Sequence, residues 1–505
     1  MCMRRFVAAV SVLVLLATPV FGQAPPNAAS ARVRYNSLKT SVKPDGELKT
    51  QIDAIDREIA EATRLGQTAQ MRRLLAKGTA LLNKRGWTEA DDYDQSLVLR
   101  TGSVFVDSTM PYAVRLEQAY APGMALTSPL MARAAIRPLL TQPAGAPEAK
   151  ALGEFADVSR DLRDVPLAME LDVSALADGA YVLDVAVLDG ATTIGTASLR
   201  VAVQKGLNAR LASLEKLALK APEPVRADIR YPADYVRKVN RGLIEVGQFD
   251  LTRELAAAET IAASARDGKD PFIGRTGDFE RHYVLPSAGE IMPYRVFVPK
   301  TYDASKAVPL VVTLHGLGGN EDGFMDGYGR RIPELAGQYG YIAVSPLGYR
   351  VDGFYGFSYG SDAASRRKQE LSEQDVMQVL ARVRRDYRID ESRIYLMGHS
   401  MGAIGTWFLG AKYPDIWAAL GTVAGVGNPQ SMARMKHIPQ FVVHGDADPT
   451  VSVSGSRAMV AEMKNLAVDH VYIEVPGGNH TDIAVPNFAA MFEFFAAKHK
   501  PGGTR

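Results

Sequence analysis

The most informative stretch of this sequence is Gly398-His399-Ser400-Met401-Gly402, which stands between an apolar run at 394–397 and a helix-like run at 403–413. A Gly-X-Ser-X-Gly segment in this setting forms a tight strand-to-helix turn, in which side chains at the two glycine positions would collide with the neighbouring strand and helix. The same turn lifts the serine hydroxyl clear of the backbone. We therefore predict that Ser400 is a nucleophile exposed at the end of a buried strand.

A serine hydroxyl becomes an effective nucleophile only when a base accepts its proton and a third group orients that base. His480 is the candidate base, because a Gly-Gly-Asn loop presents it after the apolar run at 471–475. Asp448 is the candidate acid, since it follows the run at 440–443 and lies far enough along its loop to reach across to the histidine. Asp446 lies nearer the strand and is assigned to stabilising the turn. The three residues follow the chain order Ser, acid, His. Each lies in a loop after a strand, at the edge where open α/β sheets collect their functional groups.

Transfer of an acyl group also needs hydrogen-bond donors for the charge that develops on the carbonyl oxygen. A glycine-rich segment, His315-Gly316-Leu317-Gly318-Gly319-Asn320, follows the apolar run at 309–314. Its glycines leave backbone amides unobstructed, so the Leu317 and Met401 N–H groups are the predicted oxyanion hole. The segment lacks the lysine of a phosphate-binding loop, which argues against a nucleotide site there.

Two further residues, Tyr355 and His399, are candidate substrate contacts. Tyr355 lies in an aromatic, glycine-rich segment at 350–360 that follows a strand on the same side of the predicted sheet. The alternative is a surface loop that packs its aromatic side chains on the body of the domain. His399 lies inside the turn and is assigned to packing or substrate contact rather than to proton transfer. His315 precedes the nucleophile in the chain and His444 precedes a glycine of the acid loop, so neither is predicted to be the base.

Apolar runs separated by helix-length segments predict a mostly parallel, doubly wound sheet covered on both faces, and hence an α/β fold over 277–499. The runs lie at 308–314, 341–345, 393–397, 418–423, 441–443 and 471–475.

Three segments of other character are predicted before this α/β region. The segment 23–92 is helical, with apolar residues at three- and four-residue steps and a hairpin break at 64–66. Short runs between turn signals over 93–205 indicate a β-sandwich of immunoglobulin-like type. The segment 206–270 is predicted to be helical and to include one continuous helix at 235–266.

Composition excludes several classes of function. The 505 residues include 58 Lys plus Arg against 56 Asp plus Glu, so no strong positive field favours nucleic acid. The single cysteine, Cys2, excludes an intramolecular disulfide and a cysteine-rich metal site. Neither a Gly-X-Gly-X-X-Gly turn after a strand nor a Walker loop was found, so a nucleotide cofactor has no motif.

The first residues, 1–22, are typical of a secretory signal peptide. Arg4 and Arg5 precede an apolar run at 6–17, and small residues near Gly22 form a cleavage pattern. We predict cleavage near Gly22 and export to the periplasm or the medium. The alternative is an uncleaved membrane anchor, but the apolar run is shorter than the roughly 20 residues of a spanning helix. A stable membrane anchor is therefore not expected.

With these motifs in order, residues 278–498 resemble the α/β-hydrolase superfamily. Within it, the sequence is similar to exported esterases related to polyhydroxybutyrate depolymerases and carbohydrate esterase family one, a group whose members also carry the label "predicted peptidase". The likeness is carried by 293–299, 345–349, 371–376, 384–390 and 393–402. It implies a triad of Ser400, Asp448 and His480, no metal and no diffusible cofactor. Ala403 departs from the second glycine common after this turn, and its small side chain only slightly narrows the helix packing.

The sequence therefore predicts an exported serine hydrolase that cleaves carboxylic esters through an acyl-enzyme, with a small-molecule or polymer-linked ester as its partner. Feruloyl, acetyl, short-chain aliphatic and polyester substrates stay open. One alternative is a serine peptidase of prolyl oligopeptidase-like type, although no propeller domain or obvious glutamate pair supports it. The other is a non-catalytic binding protein on a hydrolase scaffold, which the intact Ser, Asp, His and glycine-rich loop argue against.

Overall fold

The computed structural model describes residues 28–139, 148–247, 249–358, 360 and 362–500. The predicted signal peptide at 1–22 lies outside them. The chain forms two compact units, of which the first takes the described residues up to Ser213 together with Tyr235–Ala256. The second takes Leu214–Asp234 and the described residues from Ala257 onward. The domain boundaries placed at 92, 205 and 270 stay predictions.

Helices open the first unit. They are α1 (Ala28–Val42), α2 (Gly46–Arg64), α3 (Thr68–Leu82) and α4 (Glu89–Ser96). The hairpin break at 64–66 separates α2 from α3, and a further break at Pro44 separates α1 from α2. Proline has no N–H for the helical ladder and disfavours helical backbone at the preceding residue, so it ends α1. Apolar faces of α1, α2 and α3 meet in a small shared core.

The strands of the first unit form two sheets around one core. They are β1 (Leu97–Thr101), β2 (Phe105–Asp107), β3 (Tyr112–Gln118), β4 (Leu130–Pro138), β5 (Lys150–Val158), β6 (Leu167–Leu171), β7 (Gly179–Asp189) and β8 (Thr192–Gln204). Their order is β1-β3-β6 in one sheet and β2-β8-β7-β4-β5 in the other. Two of these strands have a weak sequence signal, because half of the buried residues of β4 are alanines and β5 is largely exposed.

Three helices follow, α5 (Leu207–Ala218), α6 (Arg226–Asn240) and α7 (Leu251–Ser264). The continuous helix predicted over 235–266 is wrong. The chain leaves α6 just before Gly242, whose φ of 68° lies in the left-handed region where helices commonly end. The alanine-rich run that suggested one long helix belongs to α7 alone.

An eight-stranded sheet is the centre of the second unit. Its strands are β9 (Gly277–Leu285), β10 (Glu290–Val298), β11 (Val308–Leu314), β12 (Ile342–Pro346), β13 (Ile389–His399), β14 (Ala419–Val423), β15 (Gln440–Gly445) and β16 (His470–Val475). They lie in the order β16-β15-β14-β13-β11-β12-β10-β9. The six strands from β11 to β16 pair in parallel, while β9 and β10 are antiparallel. The predicted α/β fold class is confirmed.

The remaining α-helices of the described residues lie between these strands in the chain, except the last, which follows β16. They are α8 (Glu321–Asp326), α9 (Arg331–Tyr339), α10 (Ala363–Asp386), α11 (Met401–Lys412), α12 (Val453–Asn465) and α13 (Ala484–Ala496). Parallel strands end at the same edge of a sheet, so the loops after β11, β13, β15 and β16 come together there. Those are the loops that carry the candidate site residues.

Among the helices that the structure describes, none is both long enough and apolar enough to span a membrane.

Candidate active site

Ser400 stands at the junction of β13 and α11, where the backbone turns sharply. Its φ of 57° and ψ of −118° form a conformation that costs on the order of 1–3 kcal/mol. Both glycines of the motif are required by close contacts. A Cβ at Gly398 would overlap the carbonyl of Gly402, and a Cβ at Gly402 would overlap the carbonyl oxygen of Leu314. The turn is therefore closed from both sides, and it fixes the serine relative to the sheet.

His480 links Ser400 to Asp448 through its two ring nitrogens. Nε2 lies 2.9 Å from Ser400 Oγ, and Nδ1 lies 2.7 Å from Asp448 Oδ2. These contacts favour the tautomer in which Nδ1–H donates to the carboxylate and Nε2 accepts from the serine hydroxyl. In this arrangement the imidazole is placed to take a proton from Ser400.

The Asp448 side chain is inaccessible to solvent and fully partnered. Its Oδ1 accepts hydrogen bonds from the N–H groups of Thr450, at 2.8 Å, and Val451, at 2.9 Å. Burial alone would raise the pKa of Asp448, but the hydrogen bonds from His480 and the two amides outweigh it and hold the pKa below its usual range. The group is a carboxylate at neutral pH.

Asp446 and Gly445 join the acid loop to the histidine loop. Asp446 is exposed, and its Oδ1 accepts a hydrogen bond from the N–H of Gly477 at 2.6 Å. A Cβ at Gly445 would overlap the carbonyl of Gly478, so only glycine permits this approach. The two loops therefore hold each other in place, and Asp446 has a contact that stabilises a turn.

The glycine-rich loop after β11 lies beside the Ser400 turn. A Cβ added at Gly316 would lie 3.5 Å from Ser400 Cβ. The Met401 N–H is at the first position of α11, where a helix supplies no acceptor of its own. Leu317 is 58% exposed at the same end of the sheet. The structure thus brings both predicted donors near the serine, and their oxyanion role stays a prediction.

His399 is not available as a substrate contact, which corrects that prediction. The side chain is buried, and both ring nitrogens are hydrogen-bonded. Nδ1 accepts from the Tyr328 hydroxyl at 2.8 Å, and Nε2 donates to the backbone carbonyl of His480 at 2.7 Å. Burial lowers the pKa of His399 to about 4, so the ring is neutral at neutral pH. The residue braces the backbone that carries His480.

Tyr355 is likewise buried, so its prediction as a substrate contact is wrong. The ring is fully inaccessible, its hydroxyl donates to the carbonyl of His315 at 3.1 Å, and its N–H donates to Ser372 Oγ at 3.0 Å. Burial raises the pKa of the hydroxyl. The alternative, in which the loop packs its aromatic side chains on the body of the domain, is correct for this residue.

Sequence reasoning missed the function of three polar residues on the inner face of α10. Ser372 accepts the Tyr355 amide, as described above. Glu373 lies 2.6 Å from Lys412 at the end of α11, and Asp375 accepts the N–H of Tyr349 at 2.8 Å. A polar run in a helix ordinarily indicates a solvent-exposed face, but these three are buried. They anchor the aromatic segment and the far end of α11 to the same helix.

The fold and these contacts define the second unit as an α/β-hydrolase domain. The family described as Esterase PHB depolymerase matches residues 292–453 of this chain. That match confirms the resemblance to esterases of the α/β-hydrolase superfamily. It includes Ser400 and Asp448 and ends before His480.

Curated relatives include esterases from fungi and bacteria. Feruloyl esterase B of Talaromyces funiculosus is 30% identical over 139 residues, which are 27% of this chain and 37% of that protein. Cutinase 2 of Thermobifida cellulosilytica is 31% identical over 101 residues, which are 20% of this chain and 37% of that protein. The chain therefore spans well under half the length of these relatives.

Solved structures similar to this chain include two esterases. One, described as a thermostable esterase, has a TM-score of 0.40 and 16% identity, covering 77% of this chain and 95% of its own. The other, a CE1 ferulic acid esterase from Anaeromyces mucronatus, has a TM-score of 0.37 and 18% identity, covering 44% of this chain and 90% of its own.

Proposed function

We propose that this protein is an exported serine hydrolase that cleaves carboxylic esters through an acyl-enzyme. The observation that carries the proposal is the unbroken row of hydrogen bonds from Ser400 through His480 to Asp448. The esterase family match and the likeness to feruloyl esterases and a cutinase favour an ester over an amide. The signal-like sequence at 1–22 is the reason to propose export. Feruloyl, acetyl, short-chain aliphatic and polyester substrates belong to this class.

In the first half of the reaction, Ser400 Oγ attacks the carbonyl carbon of the ester. Its proton passes to Nε2 of His480, and the resulting imidazolium is stabilised by the Asp448 carboxylate. The carbonyl oxygen, now negatively charged, lies against the Leu317 and Met401 N–H groups. Each such donor contributes on the order of 10²–10³ in rate. When the tetrahedral intermediate collapses, His480 protonates the departing alcohol and the acyl-enzyme is left on Ser400.

The second half repeats these steps with water in place of serine. His480 takes a proton from the water, whose oxygen attacks the acyl carbon, and the proton returns to Ser400 Oγ as the bond to the acid breaks. The ester is thereby converted into an acid and an alcohol with no other reactant than water. A neutral His399 beneath the histidine loop is suited to this cycle, because it adds no second positive charge beside the imidazolium.

The test is hydrolysis of p-nitrophenyl acetate, p-nitrophenyl butyrate, methyl ferulate and an aminoacyl p-nitroanilide by the purified protein and by Ser400→Ala. We expect ester turnover that falls by about 10⁴ or more in the variant, since the nucleophile is removed. Ser305→Ala is the matched control, because Ser305 is exposed and far along the chain from the turn. It should keep full activity.

Labelling with a fluorophosphonate probe gives an independent readout. The probe should modify the unaltered protein and Ser305→Ala but not Ser400→Ala. Cleavage of the anilide would favour the alternative function, a peptidase, over an esterase. A folded protein that neither turns over any ester nor reacts with the probe would contradict the proposal in favour of a binding role.

A further inference from the structure

A cleft of about 530 Å³ lies beside α11 in the second unit. Its walls come from α11, from the aromatic segment after β12 and from the chain after β14. The residues that matter here are Phe357, Ile404, Trp407, Phe408, Ala411 and Arg434. The first five of these provide an apolar and aromatic wall, and the remaining lining side chains, Arg434 among them, are polar or charged. The site can therefore accept an apolar chain with a polar group at one end.

The apolar wall of the cleft is formed by one face of α11, the helix that begins directly after the candidate nucleophile. Ile404, Trp407, Phe408 and Ala411 follow Ser400 by four, seven, eight and eleven positions, which is the spacing of one helical face. Side chains on a helix tilt toward its N-terminus, so Ile404 leans toward the Ser400 end of α11. The Ile404 N–H donates to the Ser400 carbonyl at 3.1 Å, which joins the two positions directly. The cleft thus begins one helical turn beyond the nucleophile.

The far end of the cleft carries two cations with different surroundings. Lys412 is neutralised by Glu373, whose carboxylate lies 2.6 Å from its ammonium group. Arg434 is exposed, and within the part of the chain that the structure describes it takes part in no ion pair. Its neighbour Met435 packs beside Gly410, since a Cβ added at Gly410 would lie 3.3 Å from Met435 Sδ. Gly410 lies ten residues, or about 15 Å, along the helix from Ser400.

The walls of the cleft are held in place before any ligand arrives. Glu373 fixes the end of α11 through Lys412, and the neighbouring Ser372 fixes the aromatic segment through the Tyr355 amide. A Cβ at Gly353 would lie 2.5 Å from Ser372 Oγ, so this segment is also packed tightly on α10. Preformed, mostly apolar pockets with a few placed polar groups are the usual form of small-molecule sites.

On the basis of the proposed esterase function, we propose that this cleft binds the acyl chain of the substrate and that Arg434 recognises a carboxylate at the far end of that chain. The substrate class is an ester of an extended aliphatic acid that carries a second, free carboxylate. Apolar side chains cover the chain, and the guanidinium supplies the positive charge and paired donors that match a carboxylate. A short acyl group such as acetyl ends before the cleft and gains nothing from it.

The test compares two p-nitrophenyl esters of octanedioate, one with its second carboxyl free and one with it methylated, and uses p-nitrophenyl acetate as the short reference. Arg434→Gln is the main variant. Lys436→Gln is the matched control, because Lys436 is an exposed cation two residues away that does not line the cleft. Gln430→Trp, at an exposed lining position, fills the cleft without touching the core.

We expect Arg434→Gln to raise KM for the free acid about threefold to fivefold, as the loss of a partly exposed ion pair does. KM for the methylated ester and for acetate should change less than twofold, and added salt should reduce the preference of the unaltered protein for the free acid. Gln430→Trp should lower kcat/KM for both octanedioate esters and leave acetate unchanged. Equal effects of Arg434→Gln and Lys436→Gln, or no preference for the free acid, would overturn the proposal.

A binding measurement separates this proposal from the proposed function. Monomethyl octanedioate is titrated into Ser400→Ala by calorimetry, with and without Arg434→Gln. Weaker binding in the double variant supports the cleft even if no ester is turned over. If monomethyl octanedioate does not bind while the unaltered protein hydrolyses p-nitrophenyl acetate, the proposed role of the cleft is refuted and the proposed esterase function is retained.

Discussion

Replacing Asp448 by asparagine should abolish most turnover while leaving the fold intact. The reason lies in how the two carboxylate oxygens are used. Oδ1 accepts the amides of Thr450 and Val451, so an asparagine must keep its carbonyl oxygen there and turn its NH₂ group toward His480. Nδ1 of His480, 2.7 Å away, then has to accept, and the ring proton moves to Nε2. Nε2 faces Ser400 Oγ at 2.9 Å and is no longer able to take its proton.

The size of this effect follows from the tautomer change. Loss of the correct tautomer lowers kcat by about 10⁴ in serine hydrolases with this arrangement. Asp446→Asn is the matched change, because its carbonyl oxygen can still accept the Gly477 amide at an exposed position. We expect it to keep activity within about threefold, as an exposed charge contributes little.

The assay is kcat/KM for p-nitrophenyl butyrate between pH 6 and 9, with melting temperatures recorded for both variants. An Asp448→Asn protein that folds and stays within tenfold of the unaltered enzyme would refute the tautomer argument. A larger loss in Asp446→Asn than in Asp448→Asn would show that the acid had been assigned to the wrong residue.

Three further predictions concern stability. His399 has a pKa of about 4 in the folded protein and about 6.5 in the unfolded chain, so its contribution to stability is complete above pH 6.5 and is lost as pH falls toward 4. Calorimetry should show the unaltered protein losing up to about 3 kcal/mol more than His399→Gln over that range. Parallel stability curves for the two proteins would contradict this. Burial raises the pKa of Asp375 to about 6, so its pH dependence is opposite to that of His399: its contribution to stability is present at low pH and is lost as pH rises through 6. Asp375→Asn should therefore gain stability relative to the unaltered protein as pH rises through 6. An unchanged difference between the two proteins would contradict the assignment. Gly402→Ala should cost about 3 kcal/mol or more, because the new Cβ meets backbone that cannot move aside, whereas Gly86→Ala, with open space around it, should leave the melting temperature nearly unchanged.

The parallel part of the sheet could be predicted from sequence because its strands are buried on both faces and therefore read as continuous apolar runs. The run at 308–314 coincides with β11. The antiparallel strands β9 and β10 were not predicted as strands. Pro293 lies inside β10 and normally argues against a strand, but pairing with β12 begins only at Tyr294. The proline thus sits where its missing N–H costs no hydrogen bond to that neighbour.

In the candidate site, chain order predicts that Ser400, Asp448 and His480 lie close together, since each follows a strand that ends at the same edge, and the structure has them within hydrogen-bond distance. The environments of His399 and Tyr355 could not be found in this way. His399 depends on the hydroxyl of Tyr328, and Tyr355 on Ser372, partners that only the folded chain brings near. Both side chains are of a type that often contacts ligands, but their polar atoms are already hydrogen-bonded within the protein.

The position of β16 at the edge of the sheet determines which part of the active site should unfold first under mild denaturation. β16 is an edge strand with half-buried residues, whereas β13, which leads to Ser400, lies inside the sheet and is buried toward its carboxyl end. Edge elements open in local fluctuations at lower free energy than central ones. We therefore expect the histidine loop to detach while Trp407 and Trp417 still lie in a packed interior. Inactivation in urea should precede the fluorescence transition, and this early inactivation should reverse on dilution because the nucleophile end of the site has stayed folded.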